Sequence, residues 1–158
     1  VEVEYLDWRE LKNKDGKFAS LGEAEEARSL GLELIITDHH EPKASLPRAD
    51  ALVHPRLLNG QGAYPFGQLS GSGVAFKLVQ ALLKSGRASP STELGATFGK
   101  IPEGWDKWLL DVAGISTIAD MVPLHGENRA LAYYGLKVLQ RTSRPGLLKL
   151  FNKARVFY

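Results

Sequence analysis

The order of apolar and polar residues predicts an α/β fold in which a few parallel strands precede a mainly helical C-terminal half. Two short apolar runs carry the first part of that reading. Leu34, Ile35, Ile36 and Thr37 are closed by Asp38, and Ala51, Leu52 and Val53 are closed by His54 and Pro55. Runs bounded in this way by polar residues and breakers read as buried strands of a parallel sheet. From residue 70 onward the apolar residues recur at helical spacing, and strands followed by a block of helices belong to this fold class.

Taken in chain order, Ser20, Leu21, Gly22 and Glu23 form a capping-box pattern. Ala24, Ala27, Leu30 and Leu32 then mark a helix face that ends near Gly31. Pro42 and Pro47 punctuate the loop between the two strands, and residues 56–69 are loop-like, with Gly60, Gly62, Pro65 and Gly67. Ser70, Gly71, Ser72 and Gly73 open an amphipathic helix carrying Val74, Phe76, Leu78, Val79, Leu82 and Leu83. Such a glycine-rich start either lets backbone N–H groups approach a phosphate or permits close helix packing. It is neither a Walker A loop nor a dinucleotide fingerprint. Residues 84–105 read as a surface connection. Trp105, Trp108, Leu109, Val112, Ile115 and Ile118 line a helix that reaches Asp120 and is stopped by Pro123. A further helix covers Glu127 to Arg141, and Pro145 fits the first turn of a last one over residues 144–154. The aromatic and leucine stripes of these helices are expected to be core.

The chain has 158 residues, 44% of them hydrophobic and 24% charged, as in an ordinary globular domain. It contains no cysteine, which excludes disulfides, thiol nucleophiles and cysteine-held zinc. No apolar stretch approaches bilayer length and no signal-peptide pattern opens the chain, so a cytoplasmic protein that does not enter a membrane is expected. Charge is unevenly placed. Arg129, Lys137, Arg141, Arg144, Lys149, Lys153 and Arg155 follow Glu127 with no acidic residue among them, while the part through Glu127 holds thirteen basic and eighteen acidic residues. That asymmetry reads either as a polyanion footprint or as a solvated helix face. Val1 at the start and Tyr158 without a capping glycine lead to the expectation of a piece of a longer protein.

Asp38, His39 and His40 leave the end of the first strand together, where open α/β sheets bind ligands. Carboxylate oxygen and imidazole nitrogen suit a hydrolytic divalent-metal site, although adjacent loop histidines are also often only solvated. Asp120 lies in the segment Gly114-Ile115-Ser116-Thr117-Ile118-Ala119-Asp120-Met121-Val122-Pro123-Leu124, apolar enough to predict burial. A buried carboxylate needs a partner. Arg129 is one; a metal shared with residues 38–40 is the other.

Three ordered segments, Thr37-Asp38-His39-His40, Leu69-Ser70-Gly71-Ser72-Gly73-Val74-Ala75-Phe76-Lys77-Leu78 and the run through Asp120 with Glu127-Asn128-Arg129, closely resemble the DHH phosphoesterases, in particular their RecJ-like single-strand exonuclease branch. Met121 after Asp120, where the pyrophosphatase and oligoribonuclease branches place Thr, favours that branch. The resemblance covers residue 20 to the C-terminus, and the whole chain is accordingly read as a partial DHH domain.

It implies a site for two Mn²⁺ or Mg²⁺ ions at which water attacks the terminal phosphodiester of single-stranded DNA, degrading it 5′ to 3′ during repair and recombination. In that reading His39 and Asp120 are metal ligands, Asp38 orients the site, and His40 contacts the scissile phosphate or moves a proton. Gly71, Gly73 and Arg129 are substrate-binding candidates, and single-strand binding protein or a helicase would be partners. The chain departs from the family in lacking its first motif, Asp-x-Asp-Gly. Asp15, twenty-three residues before Asp38, is the candidate for the second aspartate, but residues 8–14 are not an apolar strand. Little activity is therefore expected of the chain by itself. Two alternatives stay open: a phosphoesterase of short oligonucleotides or cyclic dinucleotides, and a non-enzymatic scaffold.

Overall fold

The computed structural model describes residues 21–42, 44–57 and 64–156. The Ser20 cap and Asp15 lie outside them. Helix α1 (Leu21–Ser29) runs into Gly31, whose φ of +76° ends it; Leu32 N–H reaches back to the Ala27 carbonyl at 3.1 Å. Strands β1 (Ile35–Thr37) and β2 (Ala51–Val53) pair in parallel, with Ile35 opposite Ala51 and Thr37 opposite Val53. Asp50 fastens the start of the pair: its carboxylate accepts the Leu34 N–H, and its own N–H donates to the Leu34 carbonyl, both at 2.8 Å. The expected parallel pairing is present, but burial is not. Ile35 is 65% exposed, because the described elements leave its face of the two-stranded sheet uncovered. In α1 only Ala24 is buried, while Leu30 and Leu32 lie in the exposed turn after the helix.

The core lies lower in the chain. Leu69, Val74, Phe76, Ala113 and Leu131 form it, with Val53, Tyr64, Phe66, Leu109 and Leu110 packed around them. Helix α2 (Gly71–Ala88) is capped by Ser70, whose hydroxyl accepts the Gly73 N–H. A short helix α3 (Glu93–Phe98), capped by Thr92, occupies part of the expected surface connection. It packs so closely on α2 that a Cβ on Gly86 would stand 2.8 Å from the Phe98 Cβ.

The expected helix from Trp105 to Asp120 is two elements. A 3-10 turn (Trp105–Leu109) precedes α4 (Leu110–Ala119). Three residues per turn set Trp105 and Trp108 on one side, and both are exposed rather than core. The inward face of α4 also differs from the expected one: Asp111, Ala113, Gly114 and Thr117 are buried, and Val112 is exposed. The reason is the neighbouring helix α5 (Gly126–Leu139). Gly135 abuts Gly114 so tightly that a Cβ on Gly135 would lie 2.6 Å from the Gly114 Cα and 2.5 Å from the Leu110 carbonyl oxygen. Helix α6 (Pro145–Ala154) begins with Pro145 in its first turn, as expected. Among the described residues no helix is long and apolar enough to cross a membrane.

Asp111 is the carboxylate that α4 buries. It accepts hydrogen bonds from Arg144 Nε at 2.8 Å, Thr142 Oγ1 at 2.9 Å and the Val112 N–H at 2.7 Å. Burial pushes its pKa up, but these donors outweigh burial and hold it below the ordinary 3.8. Asp111→Ala is expected to cost about 2 to 3 kcal/mol in urea unfolding, the scale of hydrogen bonds to a charged group. Since the folded pKa is depressed, the contribution of Asp111 is complete above 3.8 and is lost as pH falls through the lower folded value. The variant's stability should fall less steeply than the wild type's in that acid range; parallel acid profiles would contradict the assignment.

Candidate metal and phosphoryl site

The site begins where β1 stops. Asp38 N–H donates to the Val53 carbonyl at 3.1 Å and extends the ladder by one bond, after which the chain turns over the Asp38 side chain. Its Oδ1 accepts the N–H of His39 at 2.7 Å, the N–H of His40 at 3.2 Å and His40 Nδ1–H at 2.7 Å. Burial raises the Asp38 pKa, but the hydrogen bonds and positive charge supplied by His40 and the two backbone donors bring it below the usual 3.8. Three donors thus converge on Oδ1, and Oδ2 is left without a hydrogen bond among the described residues. A carboxylate that binds imidazole Nδ1–H also fixes which nitrogen stays available. In neutral His40 that is Nε2, on a side chain 73% exposed.

His39 stands beside it, its ring centroid 4.4 Å from that of His40. Its ring packs on the first turn of α2, where a Cβ on Gly71 would come within 3.3 Å of the ring Cδ2. Its Nε2 stands 3.7 Å from Asp120 Oδ2. Asp120 caps the C-terminal end of α4, and its side chain is 36% exposed. The expected burial of Asp120 is therefore corrected: as the residue that caps α4 after Ala119 it lies exposed beside His39. Arg129, on the exposed side of α5, makes no ion pair with it.

Hydroxyl groups hold the two sides together. Ser70 Oγ caps α2 and lies 3.1 Å from Thr117 Oγ1, which donates to the Ala113 carbonyl at 2.7 Å. Both residues are fully buried. Thr117 lies one helical turn before Asp120, so this contact sets Asp120 relative to the turn on which His39 rests. Gly73 is buried between Leu69, Ser70 and Leu131.

The donor set fits a hard divalent cation. Ligand atoms of Asp38, His39 and His40 lie within 4.8 Å of one another. The His39–Asp120 separation of 3.7 Å is beyond a good hydrogen bond. It suits two donors sharing an ion with bonds of about 2.1 Å.

Residues 11–99 match the family model described as DHH family, N-terminal domain. The chain belongs to the DHH family. It is 47% identical over 138 residues to the single-stranded-DNA-specific exonuclease RecJ of Bacillus subtilis, covering 87% of this chain and 15% of that protein. It is 36% identical over 142 residues to the RecJ of Escherichia coli, covering 89% of this chain and 23% of that protein. The RecJ of Thermus thermophilus is 36% identical over 117 residues, 74% of this chain and 15% of its own length. The chain thus spans less than a quarter of each of these relatives.

One residue beside this cluster was not singled out as functional from the sequence. His54, directly after β2, donates from Nε2 to the His40 carbonyl at 2.8 Å and accepts the Arg56 N–H on Nδ1 at 3.1 Å. Arg56 in turn pairs with Glu41 and donates from Nε to the Gly67 carbonyl at 2.8 Å. The parallel register was the available signal: with Thr37 opposite Val53, the next residues, Asp38 and His54, share one sheet edge. His54→Ala in the full-length protein is expected to weaken Mn²⁺ binding about tenfold, as loss of a supporting residue does. Titration read by the electron paramagnetic resonance of free Mn²⁺ checks this, and unchanged affinity would exclude a bracing role.

Proposed function

We propose that this chain is the Asp-His-His part of a RecJ-like hydrolase that degrades single-stranded DNA from the 5′ end during repair and recombination. The observation that carries the reading is the meeting of His39 with Asp120 beside Asp38 and His40. Manganese or magnesium, bound there, would neutralise phosphate charge and activate water. His39 Nε2 and Asp120 would hold the cation. Asp38 would fix the loop through Oδ1 and offer Oδ2 to the same site. His40, whose Nδ1–H is tied to Asp38, would contact the phosphate or carry a proton on Nε2. Gly71 would keep the approach to the His39 ring open, and Gly73 would let α2 start close to the core. Arg129 would bind the strand beyond the scissile bond.

A nuclease of this type would work in the cytoplasm beside its DNA, and single-strand binding protein or a helicase would supply the exposed strand. The test is Mn²⁺-dependent hydrolysis by the full-length protein of 5′- and 3′-labelled single strands, duplex, and dinucleotides, with Asp120→Ala alongside. Mononucleotides released from the 5′ end of long strands are expected. Preference for dinucleotides would move the reading to the small-substrate phosphoesterases, and no turnover of any substrate would move it to a scaffold.

A further inference from the structure

Helix α5 carries on its outer side a repeating pattern that the metal site does not use. Arg129, Tyr133, Lys137 and Arg141 recur every fourth residue, and all four are exposed. Arg141 lies two residues past the end of α5, in a turn where its N–H bonds to the Val138 carbonyl at 2.9 Å. Residues four apart on a helix share a face, so these side chains form one line about 18 Å long. The opposite face of α5, with Asn128, Leu131, Ala132, Gly135 and Leu139, is buried.

The line is uncompensated. Among the described residues, Arg129, Lys137 and Arg141 form no ion pair with a carboxylate; of the cations after Glu127, Arg144 does, with Asp111. Lys137 instead lies over the Tyr133 ring, 4.3 Å from its centroid, and Tyr134 packs edge-on to Tyr133 with centroids 5.1 Å apart. A surface of unpaired cations interrupted by exposed aromatic rings is the chemistry that tracks a flexible polynucleotide, cations on phosphates and rings under bases. Duplex offers phosphates but no free base faces.

We infer that the Arg129–Tyr133–Lys137–Arg141 face of α5 is a binding track for single-stranded polynucleotide. The inference rests on the proposed nuclease reading and assigns part of its substrate path. Helix α5 starts six residues after Asp120, so the Arg129 end of the track is the one nearer the site.

The test is fluorescence anisotropy of a fluorescein-labelled oligothymidylate with the full chain in EDTA, where hydrolysis cannot occur. The triple variant R129Q/K137Q/R141Q is expected to bind at least about tenfold more weakly, and its log–log salt dependence should flatten by about 2, as loss of three single-strand phosphate contacts requires. Tyr133→Leu should weaken binding about tenfold while Tyr133→Phe keeps it. A charge-matched control, K84Q/K100Q/K107Q, removes exposed cations from elsewhere and should change affinity little. No binding by the wild type, equal loss in the control, or equal affinity for duplex would overturn the track. Oligouridylate in place of oligothymidylate distinguishes RNA from DNA as the strand. His39→Ala should leave this metal-free binding intact, so failure of the hydrolytic reading is seen separately from failure of the track.

Discussion

Asp120→Ala in the full-length protein is expected to lower single-strand hydrolysis by roughly 10³-fold or more, since loss of a mere supporting residue costs about 10- to 100-fold. The geometry explains why the effect should be so large. Asp120 Oδ2 is 3.7 Å from His39 Nε2, and the pair are donors that follow β1 and α4, eighty-one positions apart in the sequence. The side chain is 36% exposed and is not needed to fill the core, so the melting temperature should change by little. His39→Ala should match it, and the double variant should be hardly worse than either, because groups that act as a unit are not additive. Rates and thermal melts measured together decide the matter. A variant that keeps near-normal turnover would remove Asp120 from the site, and one that loses turnover only by unfolding would make it structural.

The second large effect is expected in stability. Gly135→Ala places a methyl group where the Gly114 Cα and the Leu110 carbonyl already stand. Both are backbone atoms, so no side chain can rotate away and the helices must separate. Overpacking of this kind costs about 3 kcal/mol, which lowers the melting temperature by roughly 6 to 12 °C in a domain of this size. Because α4 carries Thr117 and is capped by Asp120, separation should also disturb the approach to His39 and weaken Mn²⁺ binding. A melting temperature within a degree or two of wild type would show that the seam is looser than the backbone positions imply.

These two cases show which features were legible in the sequence. Large apolar residues announced β1, β2, α2 and α5, and Pro145 marked α6, because side-chain period and ring geometry act locally. Asp38, His39 and His40 were readable for the same reason: they follow directly from the end of a strand. The α4–α5 seam was not. It is built from Gly114, Gly135, Ala113 and Thr117, residues too small to stand out in a hydrophobic pattern, and their value lies in what faces them. The same blindness exchanged two carboxylates, predicting burial for Asp120 when Asp111 is the buried one. Its partner Arg144 is thirty-three positions away, a distance no local pattern spans. Helix α3 was hidden because its residues resemble a linker, and its contact with Gly86 of α2 is tertiary.

The Ser70–Thr117 hydroxyl pair has a consequence for the order in which the molecule comes together. It closes a loop of 47 positions, and the His39–Asp120 approach depends on it. Neither the strand pair nor the α4–α5 hairpin can assemble the site alone, however early each forms. The proposed site is therefore assembled only while α2 is docked on α4. It is lost whenever that docking opens locally, without the rest of the chain unfolding.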